Sequence, residues 1–87
     1  MKNIFGSICL SCEVAAAVKD ENFFRFMINS IDRFAHYDWG DIPEEDKKMN
    51  GSAVKNDGDR IVAHYNDIYI ITEWDRFVTT ILFVHEY

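Results

Sequence analysis

The stretch from Asp59 to Tyr87, DRIVAHYNDIYIITEWDRFVTTILFVHEY, holds three apolar runs separated by two short polar breaks. Runs of this length, rich in Ile, Val, Tyr and Thr and bounded by Asn, Asp and Gly, read as β-strands. The expected strands are Arg60 to Tyr65, Ile68 to Glu73 and Phe77 to Val84. Asn66-Asp67 is a two-residue hairpin break suited to a type I′ turn, because both residue types tolerate positive φ. Trp74-Asp75-Arg76 turns the chain a second time. In the last run Phe77, Thr79, Ile81 and Phe83 alternate with Val78, Thr80, Leu82 and Val84. The second and third strands are apolar on much of both faces. A three-stranded antiparallel meander is therefore expected, with one face under helices and the other covered by helices or by a partner.

The upstream residues supply that cover. Ile4 to Leu10 is a short apolar run interrupted by Gly6, expected as a fourth strand at a sheet edge. Ser11 can N-cap a helix from Cys12 to Val18. Asp20 caps a longer helix, Glu21 to His36, whose Phe23, Phe24, Met27, Ile28, Ile31, Phe34 and Ala35 form one apolar stripe. In the connector, Gly40 allows a turn. Asp41 with Glu44 three residues on forms a capping-box pattern ahead of a helix from Pro43 to Lys55. That helix is polar almost all round. The fold class is α+β: a three- or four-stranded antiparallel sheet with two main helices packed on it. Residues 1–87 form a single α+β domain.

Net charge is −6, from 15 acidic and 9 basic residues, which argues against direct nucleic-acid binding, since phosphates are met by cations. It suits a soluble cytoplasmic protein, for which solubility alone accounts for the charge, and would also suit one that meets a basic surface. No apolar run reaches the roughly 18 residues of a membrane span. The N-terminal run is broken by Gly6, Ser7, Ser11 and Glu13 and reads as part of the fold rather than a leader. Cys9 and Cys12, with no secretion signal, point to free thiols in a reducing cytoplasm.

Cys9-Leu10-Ser11-Cys12 is a C-x-x-C at a strand–helix junction. A redox role would want a surrounding βαβ unit, and a zinc site would want two more ligands, which His64 and His85 could supply only by coincidence of folding. Asp38, Asp41, Glu44, Glu45 and Asp46 form the densest acidic cluster. With a metal, two of them could serve phosphodiester hydrolysis; capping and a solvated helix face also account for them. Glu73, Asp75 and Arg76 fall on the second turn, where Arg76 is expected to pair with Glu73 or Asp38. His36 and Arg33 stand near Trp39, which is expected to anchor the connector.

A set of strings also resembles a family. They are DWGD at Asp38 to Asp41, EEDK at Glu44 to Lys47, Asn50, Lys55-Asn56, Arg60, Tyr65, IITE at Ile70 to Glu73, Asp75-Arg76, TTIL at Thr79 to Leu82, and Glu86-Tyr87. Together they resemble small bacterial proteins of plasmids, phages and other mobile elements, labelled "plasmid-related protein" or "type I restriction endonuclease subunit M". The resemblance covers the C-terminal three-fifths. The chain departs from it at Phe34, where the family has histidine, at Val84 for proline, and at His85 for an acidic residue. The label implies no methylation here, because the glycine-rich cofactor loop and the acidic-Pro-aromatic motif of such subunits are missing.

The expectation that follows is a non-enzymatic acidic binding protein of a phage or mobile element. It would act in the cytoplasm of a bacterial host cell on a basic host protein, a CRISPR or restriction effector, and inhibit it by protein–protein contact. Asp38, Asp41, Glu44, Glu45, Asp46, Glu73 and Asp75 are the expected contact residues, with no cofactor and no metal. The alternatives are a small metal-dependent nuclease or thiol protein, and a structural homodimer.

Overall fold

The computed structural model describes residues 5–56 and 58–87. In chain order it holds β1 (Ser7–Leu10), α1 (Cys12–Ala17), α2 (Glu21–Ala35), α3 (Glu44–Asn56), β2 (Ile61–Tyr65), β3 (Ile68–Thr72) and β4 (Val78–Phe83), closed by a 3-10 turn, Val84–Glu86. Strand order across the sheet is β1-β4-β3-β2. The meander is antiparallel as its turns require, and β1 joins it in parallel, Ser7 opposite Val78 and Leu10 opposite Ile81. The fold is α+β with a mixed sheet rather than an all-antiparallel one. The part of the expected first strand at Ile4 lies outside the described residues.

The α2-facing side of the sheet is the core. Ile61, Ala63 and Tyr65 of β2, Ile68 and Ile70 of β3, and Ile81 of β4 are buried against Val14 of α1, Met27 and Phe34 of α2, and Trp39. Phe5 and Phe34 pack ring to ring at 5.4 Å, as do Phe23 and Phe83 at the other end of α2. α2 therefore runs antiparallel to β1 and β4. Its inward line is not the whole expected stripe. Ser30 sits within it, its hydroxyl donating to the Phe26 carbonyl, while Phe24 and Ile28 lie on the flank, each 45% exposed. A stripe of seven apolar residues is wider than the strip a helix can bury on one sheet, so the edge of the stripe stays in solvent.

The helix starts follow their caps. The Ser11 hydroxyl accepts from the Val14 amide, and the Asp20 carboxylate accepts from the Phe23 amide. α3 begins later than the capping-box pattern predicts, and Asp41 does not cap it. The Asp41 amide donates to the His64 carbonyl in a short bridge between the connector and β2. Ile42 precedes proline and is pushed away from helical conformation. The first helical turn thus closes from the Pro43 carbonyl to the Lys47 amide. At the β2–β3 hairpin only Asn66 takes positive φ, so the turn is not the type I′ expected, in which both central residues do.

Candidate functional site

β2 is an edge strand, and its outward amides and carbonyls need partners. Asn50 of α3 supplies one pair. Its side-chain amide donates to the Val62 carbonyl at 2.8 Å, and its carbonyl accepts from the Val62 amide at 3.4 Å. The connector supplies the next: the His64 amide donates to the Trp39 carbonyl, and the His64 carbonyl accepts from Asp41. Gly40 makes this approach feasible. Its φ is +75°, and a Cβ there would collide with the His64 carbonyl oxygen. The connector is fixed from behind as well. Arg33 binds Asp38 through two nitrogens at 2.7 and 3.1 Å, the Gly40 amide donates to Asp38, and the Tyr65 hydroxyl donates to the Asp38 carbonyl. The Arg33 guanidinium holds the Asp38 carboxyl below its ordinary range, and burial of the Tyr65 ring pushes its phenol up.

Holding α3 and the connector against the β2 edge leaves a cleft of about 480 Å³ beside the second face of the sheet. One wall is α3, with Asp46, Met49, Asn50 and Ser52; Asp41, Ile42 and Pro43 close one end. The sheet gives Val62, His64 and Tyr69, and the remaining side is Asp59, Arg60 and Tyr87. The aromatic groups form a row. His64 and Tyr69 face each other across β2 and β3 with ring centroids 5.0 Å apart, and Tyr69 meets Tyr87 at 5.3 Å. Arg60 lies over the Tyr87 ring at 5.8 Å and donates to its hydroxyl. The His64 Nε2 is paired with the Asn66 carbonyl at 2.6 Å.

The carboxylates of Asp41, Asp46 and Asp59 have no hydrogen bond or ion pair with another described residue. With Arg60 the only other fully charged group among the described lining residues, the cleft carries three negative charges against one positive. Among the described residues, no three His, Cys, Asp or Glu side chains come together as a metal-binding group. The acids are spread along the cleft instead of converging on a point.

The expected contact residues divide into two groups. Asp38, Asp41, Glu44, Glu45 and Asp46 gather around the start of α3, but Asp38 is committed to Arg33 and Glu44 lies 3.5 Å from Lys47. Glu73 and Asp75 sit on the β3–β4 turn. The Arg76 guanidinium binds the carbonyls of Asp59, Glu73 and Trp74, and also that of Ala53, toward the far end of α3. Nine residues of helix separate Glu44 from Ala53, about 14 Å. Asp75 accepts from the Phe77 amide and shapes the turn. Arg76 thus bonds main-chain oxygens, and the ion pair to Asp38 comes from Arg33, not from Arg76. His36 is turned to the Asp32 carbonyl, and Trp39 is buried in the connector beside Phe34.

Cys9 and Cys12 are both exposed free thiols. Cys9 and Leu10 lie in β1 and Ser11 is extended, with φ −62° and ψ 162°. Three extended steps put the two Cα atoms about 10 Å apart, beyond the roughly 7 Å a disulfide can bridge. The C-x-x-C is therefore not poised to close in this conformation. His85 is engaged with Glu13 at 3.1 Å, and the His64 Nε2 with the Asn66 carbonyl.

The sequence offers His64 only as a possible zinc ligand, and does not mark Tyr69, Arg60 and Tyr87 as lining residues. Each looks like an ordinary alternating strand or turn residue, and only the placement of α3 turns them into a lining. No family model, no curated protein and no solved structure matches the chain. Among the described residues no helix is long and apolar enough to cross a membrane.

Proposed function

We propose that the protein is a non-enzymatic binding module that takes a basic segment of another protein along α3 and into the cleft beside it. One observation carries this reading: Asp41, Asp46 and Asp59 line an aromatic-floored cleft, and their carboxylates bond to no other described residue. Other polar residues of the strings that carry the resemblance are used internally, Asp38 on Arg33, Asn50 on the β2 edge, Arg76 on four carbonyls, and Thr79 on Thr72. A cleft with uncommitted acids and aromatic faces favours cations by Coulomb attraction and by ring quadrupoles. It repels phosphate. Glu45 and Asp46 on the exposed first turn of α3 extend the acidic surface outward.

The partner class we propose is a basic, nucleic-acid-handling host protein such as a CRISPR or restriction effector, whose cationic groove the acidic face would occupy. Two considerations support this choice: the chain's net charge of −6 and its resemblance to small proteins of phages and plasmids. The test is affinity capture from host lysate, with and without nuclease treatment, of wild type and of a variant with Glu44, Glu45 and Asp46 changed to lysine. Wild type should retain a basic protein after nuclease treatment, and the variant should lose it while melting cooperatively at a similar temperature. Capture that survives charge reversal, or that vanishes with the nucleic acid, overturns the reading.

A further inference from the structure

Arg60 shows what the cleft accepts. It is the only Lys or Arg among the described lining residues, it stands beside Asp59, and it forms no ion pair with another described residue. Instead its guanidinium lies over the Tyr87 ring at 5.8 Å and donates to the Tyr87 hydroxyl. Tyr87 is itself 64% exposed and leans on Tyr69, so the arginine and the ring form a wall open to solvent. A planar cation that stacks and donates at once is a guanidinium; an ammonium offers a point charge and no plane. We infer that the cleft is an arginine-recognition site, in which Arg60 occupies the aromatic wall of the free protein and gives way to an arginine side chain of the partner.

This rests on the binding reading above and sharpens it. The partner's arginine takes the Tyr87 and Tyr69 faces, while the Asp41 and Asp46 carboxylates receive its N–H groups or those of a neighbouring residue. Displacing Arg60 costs the free protein one exposed cation–π contact and a solvent-exposed hydrogen bond, which water can replace. Removing it in advance should tighten binding by roughly two- to fivefold, the range such contacts have at exposed sites.

The test uses capped hexa-arginine and hexa-lysine peptides, equal in charge, titrated calorimetrically at low salt into the whole protein. Hexa-arginine should bind severalfold more tightly. Arg60→Ala should tighten hexa-arginine more than hexa-lysine. Tyr87→Ala should bring hexa-arginine down to the hexa-lysine level. Asp41→Asn with Asp46→Asn should weaken both peptides. All four positions lie on the open lining, and a melting curve for each variant confirms folding. Equal affinity for the two peptides, with both weakened by the aspartate changes, overturns guanidinium recognition and leaves an unselective acidic cleft. Indifference of both peptides to the aspartate changes overturns the binding reading itself. Unchanged or weaker hexa-arginine binding by Arg60→Ala shows Arg60 to be a fixed part of the wall and overturns its displacement.

Discussion

At the scale of single residues, the polar side chains of this protein separate by what they touch. Asp38 is held ionised by Arg33, with both side chains about half exposed, 49% and 51%. A carboxylate whose folded pKa lies below its unfolded value of about 3.9 stabilises the fold fully above that value. It loses the contribution as pH falls through the lower, folded value. Asp38→Asn keeps an acceptor for the Gly40 amide but drops the charge. It should lower stability at neutral pH by less than about 1 kcal/mol, given the exposure of the pair. The melting temperatures of variant and wild type should then converge as pH falls from about 4 through the lower, folded value. A constant offset across that range would assign the loss to packing. Thr72 and Thr79 are the buried counterpart. The Thr79 hydroxyl donates to the Phe5 carbonyl and accepts from Thr72 at 2.6 Å, and neither threonine is exposed. Thr79→Val strands the Thr72 hydroxyl and should cost about 1–3 kcal/mol in urea denaturation. Adding Thr72→Val should recover part of that, because no orphan hydroxyl is then left in the gap; an additive loss would contradict it.

At the scale of elements, the decisive contact is α3 on the β2 edge. Asn50, only 5% exposed, spans it with two hydrogen bonds to one residue of the strand, in the manner of a neighbouring strand. This protects the edge and also sets the width of the cleft. Two glycines on either side of that contact should respond in opposite senses. Gly51 lies in α3 with open space where a Cβ would stand, so Gly51→Ala should stabilise by about 0.5–1 kcal/mol through helix propensity. Gly40→Ala meets the His64 carbonyl and a left-handed backbone, and should destabilise by more than about 2 kcal/mol. Thermal melts of the two variants check both signs. Much of this level is legible in the sequence: the meander and the positions of its turns, the Ser11 and Asp20 caps, and the α2 helix follow from local patterns. Asp41 has the local pattern of a cap and is not one, because the helix starts only at Glu44, after the pre-proline Ile42, and leaves Asp41 outside its first turn. The bridge from Asp41 to His64 and the parallel pairing of β1 are hidden because the partners are distant in sequence. The acidic half of the cleft is visible as charge, whereas its aromatic half is masked by the alternation that makes β2 and β3 readable as strands.

At the scale of the whole molecule, the beginning and end of the described chain are fastened to one another. β1 pairs with β4, the Ser11 hydroxyl donates to Glu86 at 2.7 Å, and Glu86 also accepts from the Phe83 amide. That amide keeps the Glu86 carboxyl below its usual range. Ser11 is at the same time the cap of α1, so one glutamate ties the first helix to the last turn. Glu86→Ala should loosen β1 and α1 together, seen as faster amide hydrogen exchange in both while β2 and β3 keep their protection. Uniform loosening of all strands would show that the sheet opens only as a unit.

The strand order β1-β4-β3-β2 has a consequence for synthesis. β4 follows the other described strands in sequence and stands between β1 and β3, so none of the earlier ones joins β1 to the meander. Translation proceeds at roughly 5–20 residues per second. The phenylalanines of α2 must therefore wait on the order of three to twelve seconds for Ile81 and Phe83 to appear beneath them. Before β4 is made, α2 has only the β2–β3 hairpin to lie on, and Phe23 lacks the Phe83 ring that it packs against in the finished fold.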